Sequence, residues 1–456
     1  MRKKNCRGTE RKSTTKKFSA ESVAKRLLEV FSEEQIDETA RQSGFMQRKR
    51  KLAPKALLIA CISALGSGDA EWLADILRAL NKLTGREIQY KPFHNQLSKE
   101  KFPEFLRRVL EQSLSKLAVP NLESIPDEKL SAFKDIIVHD GTSLTLKDEL
   151  ADVWPGRFTK KAPAAIELHV TMSVFENNPL SITLTADKEA ERVNGPRPED
   201  LGGCLVLEDR GYQSREFFGG MIAAGSSFII RGTKDIRPTI LRAYDTNGRR
   251  CRRLRRLEGK KLNWRTLPRE TVDLDIQWGS GSTVYNGRLV AFYLPGKRNK
   301  KNYTYLHTNL DRGTFSAEEI GMLYRLRWQI ELMFKEWKSY ANLCCFDTIK
   351  APIAEGLIWV SLITATLKRS LAHFAQHYLG VELSTDRVAK SARLYLDDIL
   401  KAILRLRPSP SVVRTIRAAF SFLGTNARRA HPNRDRHKGR LSFGVQPIGV
   451  ENCQRS

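Results

Sequence analysis

Hydrophobic residues recur at three- and four-residue spacing through roughly the first quarter of the chain. This spacing predicts amphipathic helices at 21–31, 54–65, 70–83 and 103–117. Residues 1–125 are therefore expected to form a helical region whose connections are basic, such as MQRKRK at 46–51. A small helical region of this kind suits DNA binding. A packing or oligomerisation role fits the same pattern equally well.

The pattern changes after a proline-containing linker at 119–129. Short apolar runs bounded by turn residues predict strands, and one helix precedes the last of them. The predicted strands are 136–138, 166–175, 180–185, 204–207 and 228–230, with the helix at 214–224. Strands mixed with a helix in this order predict a mixed α/β sheet.

Residues 233–302 interrupt this rhythm and are predicted to be a β-rich, basic insertion. Alternating apolar residues predict a strand at 272–278, and a second strand is predicted at 288–294. Six of the eight residues from 249 to 256 are arginine. A strand at 303–308 then resumes the sheet. The expected core is therefore split into 126–232 and 303–350.

Helical patterning returns after the sheet. Ser316 and Glu319 form a capping-box pattern that starts a helix running toward Glu331. Further helices are predicted at 352–378 and 384–404, followed by a basic tail, so 351–456 is expected to be a helical C-terminal region. The longest apolar run, at 356–367, is too short to span a bilayer and predicts a buried helix.

The segment YRLRWQIELMFKEWK at 324–338 has one charged and one apolar side when drawn as a helix. At about 100° per residue, Tyr324, Arg327, Glu331 and Lys338 fall within roughly 60° of one another. The apolar side carries Leu323, Leu326, Ile330, Met333, Phe334 and Trp337. Two cations flanking a carboxylate suit a phosphate backbone held beside a metal ligand. The alternative is an ordinary charged helix surface that meets only solvent.

Two aspartates are expected at strand ends, where open α/β sheets usually place their sites. Asp140 follows the strand at 136–138, and Asp209 follows the strand at 204–207. Other acids compete with these two and with Glu331, namely Asp135, Asp187, Glu208 and Glu336. Glu336 is the weaker rival because it lies roughly 140° around the helix from Glu331.

The charge of the chain indicates the class of its binding partner. The chain has 456 residues, with 78 Lys+Arg against 51 Asp+Glu, a formal charge of +27 and a pI near 9.9. Such an excess favours nucleic acid as partner, ahead of an anionic membrane. The N-terminus lacks the apolar core of a signal peptide, and the seven cysteines show no CxxC pair. Reduced thiols in a cytosolic protein are the expectation.

Taken together, VHDGTSL, LEDRGYQS and Y-x2-R-x3-E-x6-K resemble the three acidic motifs of the DDE transposases of bacterial insertion sequences. The nearest branch carries the Tyr-Arg-Glu-Lys signature and a β-strand insertion in a ribonuclease-H-like core. The resemblance covers roughly residues 130–345. His139 and Glu208 depart from it, since apolar residues are expected before the two aspartates.

The resemblance implies a ribonuclease-H-like mixed-sheet catalytic core with a β-rich insertion, flanked by helical regions. It implies that Asp140, Asp209 and Glu331 bind two Mg²⁺ ions, with Mn²⁺ able to substitute. Two such ions about 4 Å apart can activate water and stabilise the leaving 3′ oxygen. Asp140 is expected to bridge them.

The resemblance further implies residues that contact DNA. Tyr324, Arg327 and Lys338 are expected to hold phosphates near the transposon end, and Arg210 to contact DNA beside Asp209. Related transposases flip a base out of the duplex during a hairpin step, which requires an aromatic platform. Trp264, Trp278, Tyr303 and Tyr305 are the candidates in or after the insertion, and Tyr303 or Tyr305 is the predicted platform by position.

The implied function is cut-and-paste transposition in the bacterial cytoplasm, at the nucleoid. The protein is expected to bind terminal inverted repeats in double-stranded DNA, pair two ends as a homodimer, cleave them and join the 3′ ends to target DNA. Two alternatives stay open: a metal-dependent nuclease of the same fold that does not join, and a non-catalytic DNA-binding regulator.

Overall fold

The computed structural model describes most of the chain. The described residues are 18–48, 52–67, 73–117, 129–189, 191–233, 235–279, 284–295, 301–343, 346–404 and 410–431. The predicted linker at 119–129 falls almost entirely outside these residues. So do Cys344, Cys345 and the tail from 432 onward.

Six helices precede the sheet. They are α1 (Ala20–Val30), α2 (Glu33–Gln42), α3 (Pro54–Ser67), α4 (Leu73–Thr84), α5 (Tyr90–Leu97) and α6 (Lys101–Leu117). The four predicted helices are confirmed to within a few residues. The hydrophobic pattern missed α2, which is mostly polar, and α5, which is short and contains Pro92. Ser32 caps α2 by accepting a hydrogen bond from the backbone of Gln35.

Nine strands form one mixed sheet. They are β1 (Ile136–Thr145), β2 (Ala165–Ser173), β3 (Asn178–Ala186), β4 (Leu205–Glu208), β5 (Ser227–Gly232), β6 (Thr239–Tyr244), β7 (Val272–Trp278), β8 (Tyr285–Pro295) and β9 (Lys301–Thr308). The spatial order is β3-β2-β1-β4-β5-β9-β8-β7-β6. Among the described strands, only β1 with β4 and β4 with β5 pair in parallel. The mixed α/β sheet is confirmed.

The strands of residues 233–302 extend this sheet past β9. The predicted strands at 272–278 and 288–294 are present as β7 and β8, and β6 was missed. Their apolar residues, which include Leu274 and Leu289, join Tyr305 of β9 in a second core. The β-rich segment therefore continues the edge of the sheet through β8–β9 pairing.

Two helices lie between strands of the sheet, α7 (Arg215–Ala223), where a helix was predicted at 214–224, and the short α8 (Arg252–Arg255). The helices after the sheet begin with α9 (Ala317–Tyr324), which starts with the predicted capping box between Ser316 and Glu319. A 3-10 turn at Arg325–Arg327 separates α9 from α10 (Trp328–Tyr340). The predicted helix through 324–338 is thus interrupted. The remaining helices are α11 (Ala351–Leu379), α12 (Thr385–Lys390), α13 (Leu396–Leu404) and α14 (Pro410–Asn426).

The long helix α11 is the centre of the larger core. In length and composition it is the one described helix that qualifies as a candidate membrane span, yet 83% of its most apolar window is buried inside the protein. It packs on α3 and α6 from the N-terminal region and on α12 and α14 from the C-terminal region. The prediction of a buried helix here is confirmed.

The N-terminal and C-terminal helices share this core. Lys55 donates through Nζ to the carbonyl of Ile403 at 3.0 Å, and Ser63 donates to Asp397 at 2.5 Å. α1 also packs on α14. Residues from the two ends of the chain therefore support each other, although the sequence shows them as separate helical regions.

Candidate active site

Asp140 and Asp209 lie just beyond the paired parts of two neighbouring parallel strands. Val138 of β1 pairs with Leu207 of β4, and each aspartate follows its strand's paired residue by two positions. Because the strands run in the same direction, this register brings both carboxylates to one edge of the sheet. Asp140 does not end its strand as predicted, since β1 continues to Thr145 beside β2.

Arg327 joins Asp140 to Glu331. Its Nη1 donates to Asp140 Oδ2 at 3.2 Å, and its Nη2 donates to Glu331 Oε1. Burial opposes the charge of Arg327, but Tyr324, Glu331 and Asp140 outweigh it and raise the pKa of the guanidinium. The structure thus places one permanently charged cation between two of the predicted metal ligands.

Asp209 faces a different arginine. Arg231, near the end of β5, lies with Nη1 3.7 Å from Asp209 Oδ1. Asp209 Oδ1 is a buried atom to which no described group donates a hydrogen bond. Close by, the Tyr324 hydroxyl donates to the carbonyl of Glu208 at 3.3 Å. Burial is the main cause that raises the pKa of Tyr324, so its hydroxyl keeps its proton at neutral pH.

Lys338 and Arg210 lie at the edges of this arrangement. Lys338 donates through Nζ to the carbonyl of Ser143 at 3.1 Å, which fastens α10 to the far end of β1. Arg210 is exposed and opens the 3-10 turn that follows Asp209. Lys338 therefore lies beside the part of β1 that follows Asp140, and Arg210 lies directly after Asp209.

Tyr303 and Tyr305 are buried in the core of the β-rich segment, at 4% and 3% exposure. The Tyr303 hydroxyl donates to the carbonyl of Pro268 at 2.6 Å, and the two rings stack on each other. Neither ring can reach a base in this structure. The prediction that one of them forms an aromatic platform therefore disagrees with the structure.

The rival acid Glu336 points away from the site. It is 6% exposed and accepts a hydrogen bond from Arg369 Nη1 at 3.2 Å. Burial raises the pKa of Glu336, and Arg369 opposes that shift. The burial of Glu336 and its pairing with Arg369 support the prediction, made from helical geometry, that Glu331 is the better candidate.

The two polar residues that depart from the family pattern are both buried. His139 Nδ1 lies 2.9 Å from Thr171 Oγ1, and its ring stacks on His169. Burial, together with His169, lowers the pKa of His139 to about 3, so the ring is neutral. Glu208 is fully buried beneath the carbonyl that receives the Tyr324 hydrogen bond. Both residues line the sheet beside the carboxylates.

The donor set suits a hard divalent cation in its chemistry. Asp140, Asp209 and Glu331 supply carboxylate oxygens, which Mg²⁺ prefers, and their side chains are 23%, 39% and 31% exposed. Within the described residues, however, no three acidic, histidine or cysteine side chains lie close enough together to hold a metal ion. Arg327 instead contacts two of the carboxylates.

Sequence reasoning missed two residues at this site. Arg231 directly follows the last described pairing of β4 with β5, Glu208 with Ile230, so the strand-end argument that found Asp209 applies to it as well. Trp328 follows Arg327 and is 50% exposed, which is unusual for a tryptophan. Trp328 belongs to the segment at 324–338, but neither the charged nor the apolar side of the predicted helix included it.

Comparison with known proteins places these features in one family. The model of the transposase DDE domain matches residues 131–367, just over half of the chain. The transposase for insertion sequence element IS231C of Bacillus thuringiensis subsp. berliner is 24% identical over 93% of this chain and 96% of that protein. The transposase for IS1151 of Clostridium perfringens is 19% identical over 76% and 80%.

Among solved structures, a piggyBac transposase synaptic complex with hairpin DNA matches with a TM-score of 0.44 and 11% identity. That match covers 91% of this chain and 87% of the other. Similarity at this level supports no conclusion about the present chain.

Two aspartates at one edge of an α/β sheet, together with a glutamate on a following helix, supply carboxylate oxygens of the kind that divalent cations prefer. The chain belongs to the DDE transposase family of bacterial insertion sequences. It is therefore an enzyme of the class that cleaves and joins DNA, and this family normally uses a divalent metal.

Proposed function

We propose that Asp140, Asp209 and Glu331 are the catalytic carboxylates of a cut-and-paste transposase with a ribonuclease-H-like core. The observation that carries this proposal is the Arg327 guanidinium, which bonds to Asp140 and Glu331 at the edge where Asp209 also emerges. Three carboxylates from distant parts of the chain lie along this edge. A charge cluster of this kind costs stability unless it serves a ligand.

Asp140, Asp209 and Glu331 would hold two Mg²⁺ ions, with Mn²⁺ able to substitute. Bound Mg²⁺ supplies an activated water and charge stabilisation for the leaving 3′ oxygen of DNA. The buried Asp209 Oδ1, which receives no described hydrogen bond, fits a ligand oxygen kept for a cation. Holding the ions would require these side chains to lie closer together than in the described structure.

Arg327 has two positions in this proposal. Without DNA it neutralises Asp140 and Glu331, as the structure has it. With metal and DNA bound, its planar guanidinium turns to a phosphate of the transposon end, for which its fork geometry is suited. Arg231 likewise neutralises Asp209 without DNA and turns to a phosphate when DNA is bound.

The other motif residues orient the DNA. The protonated Tyr324 hydroxyl donates a hydrogen bond toward the DNA backbone once it leaves the Glu208 carbonyl, and Lys338 and Arg210 add positive charge on either side. Trp328 takes the place of Tyr303 and Tyr305 as the aromatic platform, because it is half exposed and adjacent to Arg327.

The assembled enzyme is a homodimer that pairs two inverted ends and inserts them into target DNA, within the bacterial cytoplasm. The catalytic residues come from 126–232 and 303–350. The basic segment 233–302 supplies DNA contacts, and the helical regions 1–125 and 351–456 support the core and recognise the ends. Exposed arginines at 252, 255 and 256 have no ion pair in the described structure and suit the phosphate backbone.

The test is an assay with the full chain, Mg²⁺ and a plasmid that carries the inverted ends flanking the gene. We expect excision of the segment between the ends and covalent joining of its 3′ ends to a second plasmid. Joining requires both a synapsed pair and intact carboxylates. Cleavage without joined product would identify a nuclease of the same fold, and specific binding without cleavage would identify a regulator.

A further inference from the structure

The face of the sheet opposite Asp140 carries a second polar cluster directly behind that residue. Side chains of a strand alternate between its two faces, so positions 141 and 143 of β1 face away from the side that carries Asp140. The antiparallel register sets Gly141 opposite His169 and Ser143 opposite Glu167 of β2. A buried carboxylate, Glu167 at 5% exposure, therefore lies behind the strand of a proposed metal ligand.

Gly141 allows the Glu167 carboxylate to lie directly against β1. A Cβ at position 141 would be only 2.6 Å from Glu167 Oε1, which is closer than real Cβ atoms come to a neighbour. Gly141 does not have a left-handed backbone, so space for this carboxylate is the reason for glycine here. On its other side, the Gly141 amide donates to Asp140 Oδ1 at 3.0 Å. The backbone of Gly141 thus connects the two carboxylates.

Arg157, in the loop between β1 and β2, holds Glu167 in this position. Its Nη2 donates to Glu167 Oε2 at 2.9 Å, and its Nε donates to the carbonyl of Asp187 at 3.2 Å. The backbone amide of Arg157 also donates to Asp187 Oδ2 at 2.9 Å. Because Asp187 directly follows β3, the guanidinium joins β2 to the end of β3.

Asp187 extends the cluster to the next position of β1 on the same face. The Ser143 hydroxyl donates to Asp187 Oδ1 at 2.5 Å, and the Ser143 carbonyl accepts from Lys338 of α10 at 3.1 Å. Residues 141–143, which follow Asp140, are therefore held by groups from β2, from the end of β3 and from α10. Asp187 is 3% exposed. Burial of two carboxylates is unfavourable in itself, so a role in orienting a metal ligand is a reason for their presence.

We propose that Glu167 is a positioning residue for Asp140. Held by Arg157 and lying on Gly141, its carboxylate fixes the backbone of β1 so that the Gly141 amide keeps Asp140 Oδ1 oriented. Asp140 Oδ2 then stays turned toward the catalytic face, where Arg327 donates to it. Residues that support a metal ligand in this way typically change metal affinity by about 10–100-fold when they are replaced. The inference rests on the proposed function, in which Asp140 binds the metal.

Titration of the full chain with Mn²⁺, followed by the electron paramagnetic resonance of the free ion, tests this role without DNA or cleavage. Glu167→Ala should weaken the Mn²⁺ site that Asp140→Asn removes by about tenfold or more. Glu167→Gln should weaken it less, because its amide oxygen can still accept from Arg157. Lys147→Ala is the matched control, since it breaks an ion pair with Asp347 at the start of the same loop and should leave the Mn²⁺ affinity unchanged.

A double-mutant cycle separates positioning from a general loss of structure. Gly141→Ala should also weaken Mn²⁺ binding, because the added methyl group displaces the Glu167 carboxylate. In Gly141→Ala/Glu167→Ala no carboxylate remains to be displaced, so the loss should not exceed that of the weaker-binding single variant. Mn²⁺ affinity is measured on folded protein, so lower stability alone does not change it. If Glu167→Ala does not fold, Glu167→Gln and Gly141→Ala provide the same comparison.

Wild-type Mn²⁺ affinity in the Glu167 and Gly141 variants would overturn the positioning role, and so would fully additive losses in the double variant. End cleavage in Mg²⁺ tests the proposed function separately. If the wild type fails to cleave but Mn²⁺ binding depends on both Asp140 and Glu167, the proposed function fails and the positioning role stands. If Asp140→Asn leaves Mn²⁺ binding unchanged, Asp140 is not a metal ligand and both fail.

Discussion

Two carboxylates of the same helix, Glu331 and Glu336, each meet an arginine in opposite surroundings. Glu336 and Arg369 are 6% and 4% exposed, and Arg369 also donates to Asn177. Glu331 and Arg327 lie at the sheet edge, where Glu331 is 31% exposed and Asp140 shares the same guanidinium. Glu336 and Arg369, the inner pair, are enclosed by the core. The outer pair leaves a solvent-facing acid available for a cation.

The difference teaches that residue type alone does not mark a catalytic acid. A buried ion pair loses hydration on both partners and has no room for another ligand, so it can only hold the fold together. The outer pair differs because Glu331 is 31% exposed, although its arginine is only 10% exposed, so one side of this carboxylate can still be reached by a cation. Variants of the two pairs should therefore change different properties.

The largest expected effect is on catalysis at the outer site. Asp140→Asn, Asp209→Asn and Glu331→Gln should each lower the rate of end cleavage by about 10³-fold or more, because each removes a charged ligand. Binding of end DNA should stay near normal. Losses in double variants should be less than additive, since the three act as a unit. Gel-resolved cleavage time courses measure this, and near wild-type cleavage by any of the three would refute its assignment.

The inner pair should respond in stability instead. Glu336→Gln leaves Arg369 with an uncompensated buried charge and should lower the free energy of unfolding by about 3–5 kcal/mol. Glu331→Gln is the matched control on the same helix and should change it by less than about 1 kcal/mol, because Glu331 is partly exposed and Arg327 keeps Asp140 as a partner. Urea denaturation of the two variants measures both values. Cleavage by folded Glu336→Gln should persist, and a stable but inactive protein would reverse the roles of the two acids.

The inner cluster should also produce a pH dependence. Burial, partly offset by Glu336, lowers the pKa of Lys368 to about 8, and its Nζ donates to the Tyr340 carbonyl. Between pH 8 and the ordinary value near 10.5, the unfolded chain holds this proton and the folded chain has lost it. Stability contributed by Lys368 therefore rises with pH across that window.

Lys368→Met removes this titration. The stability of the variant relative to wild type should be most favourable below pH 8 and should decline by up to about 3 kcal/mol toward pH 10.5. Denaturation curves at several pH values provide the comparison. Parallel pH profiles for the two proteins would contradict the buried, proton-losing lysine.

A smaller effect is expected where the outer arginine meets DNA. Arg327→Ala should slow the steps after the first nick by about 10–100-fold, because the end is no longer held in its distorted shape. Arg327→Lys should also be impaired, since an ammonium cannot bridge two oxygens as a planar fork does. Lys338→Ala is the parallel variant. Separation of nicked, hairpin and fully cut DNA would show this, and equal slowing of every step would assign Arg327 to general binding.

The sequence predicted which helices and strands are present far better than it predicted where each one ends and which residues it contacts. Strand and helix patterning located β1, β4 and the helix of Glu331, because apolar periodicity is a local property. It ended β1 too early, since the polar run HDGTS does not show that β2 continues beside it. It also missed the 3-10 turn before α10, which a helix with good propensity throughout gives no reason to expect.

Burial is the reason that the prediction of Tyr303 or Tyr305 as the aromatic platform disagrees with the structure. Tyr303 and Tyr305 alternate with polar residues in a strand whose inward face cannot be told from the sequence. The structure buries both rings against the core of the β-rich segment, while Trp328, next to Arg327 in the chain, is 50% exposed. Which face of an amphipathic element meets solvent depends on the layer packed against it.

By itself, the sequence determined the family, the three candidate carboxylates, and the basic character that suits DNA. Those features reside in short motifs and in net charge, which need no tertiary contacts to be read. Only the tertiary structure decided which cation faces each acid, that Arg327 lies between Asp140 and Glu331, and that Glu336 serves the core. Such pairings join residues far apart in the chain, and they depend on strand register and helix rotation, which form only when the whole core packs.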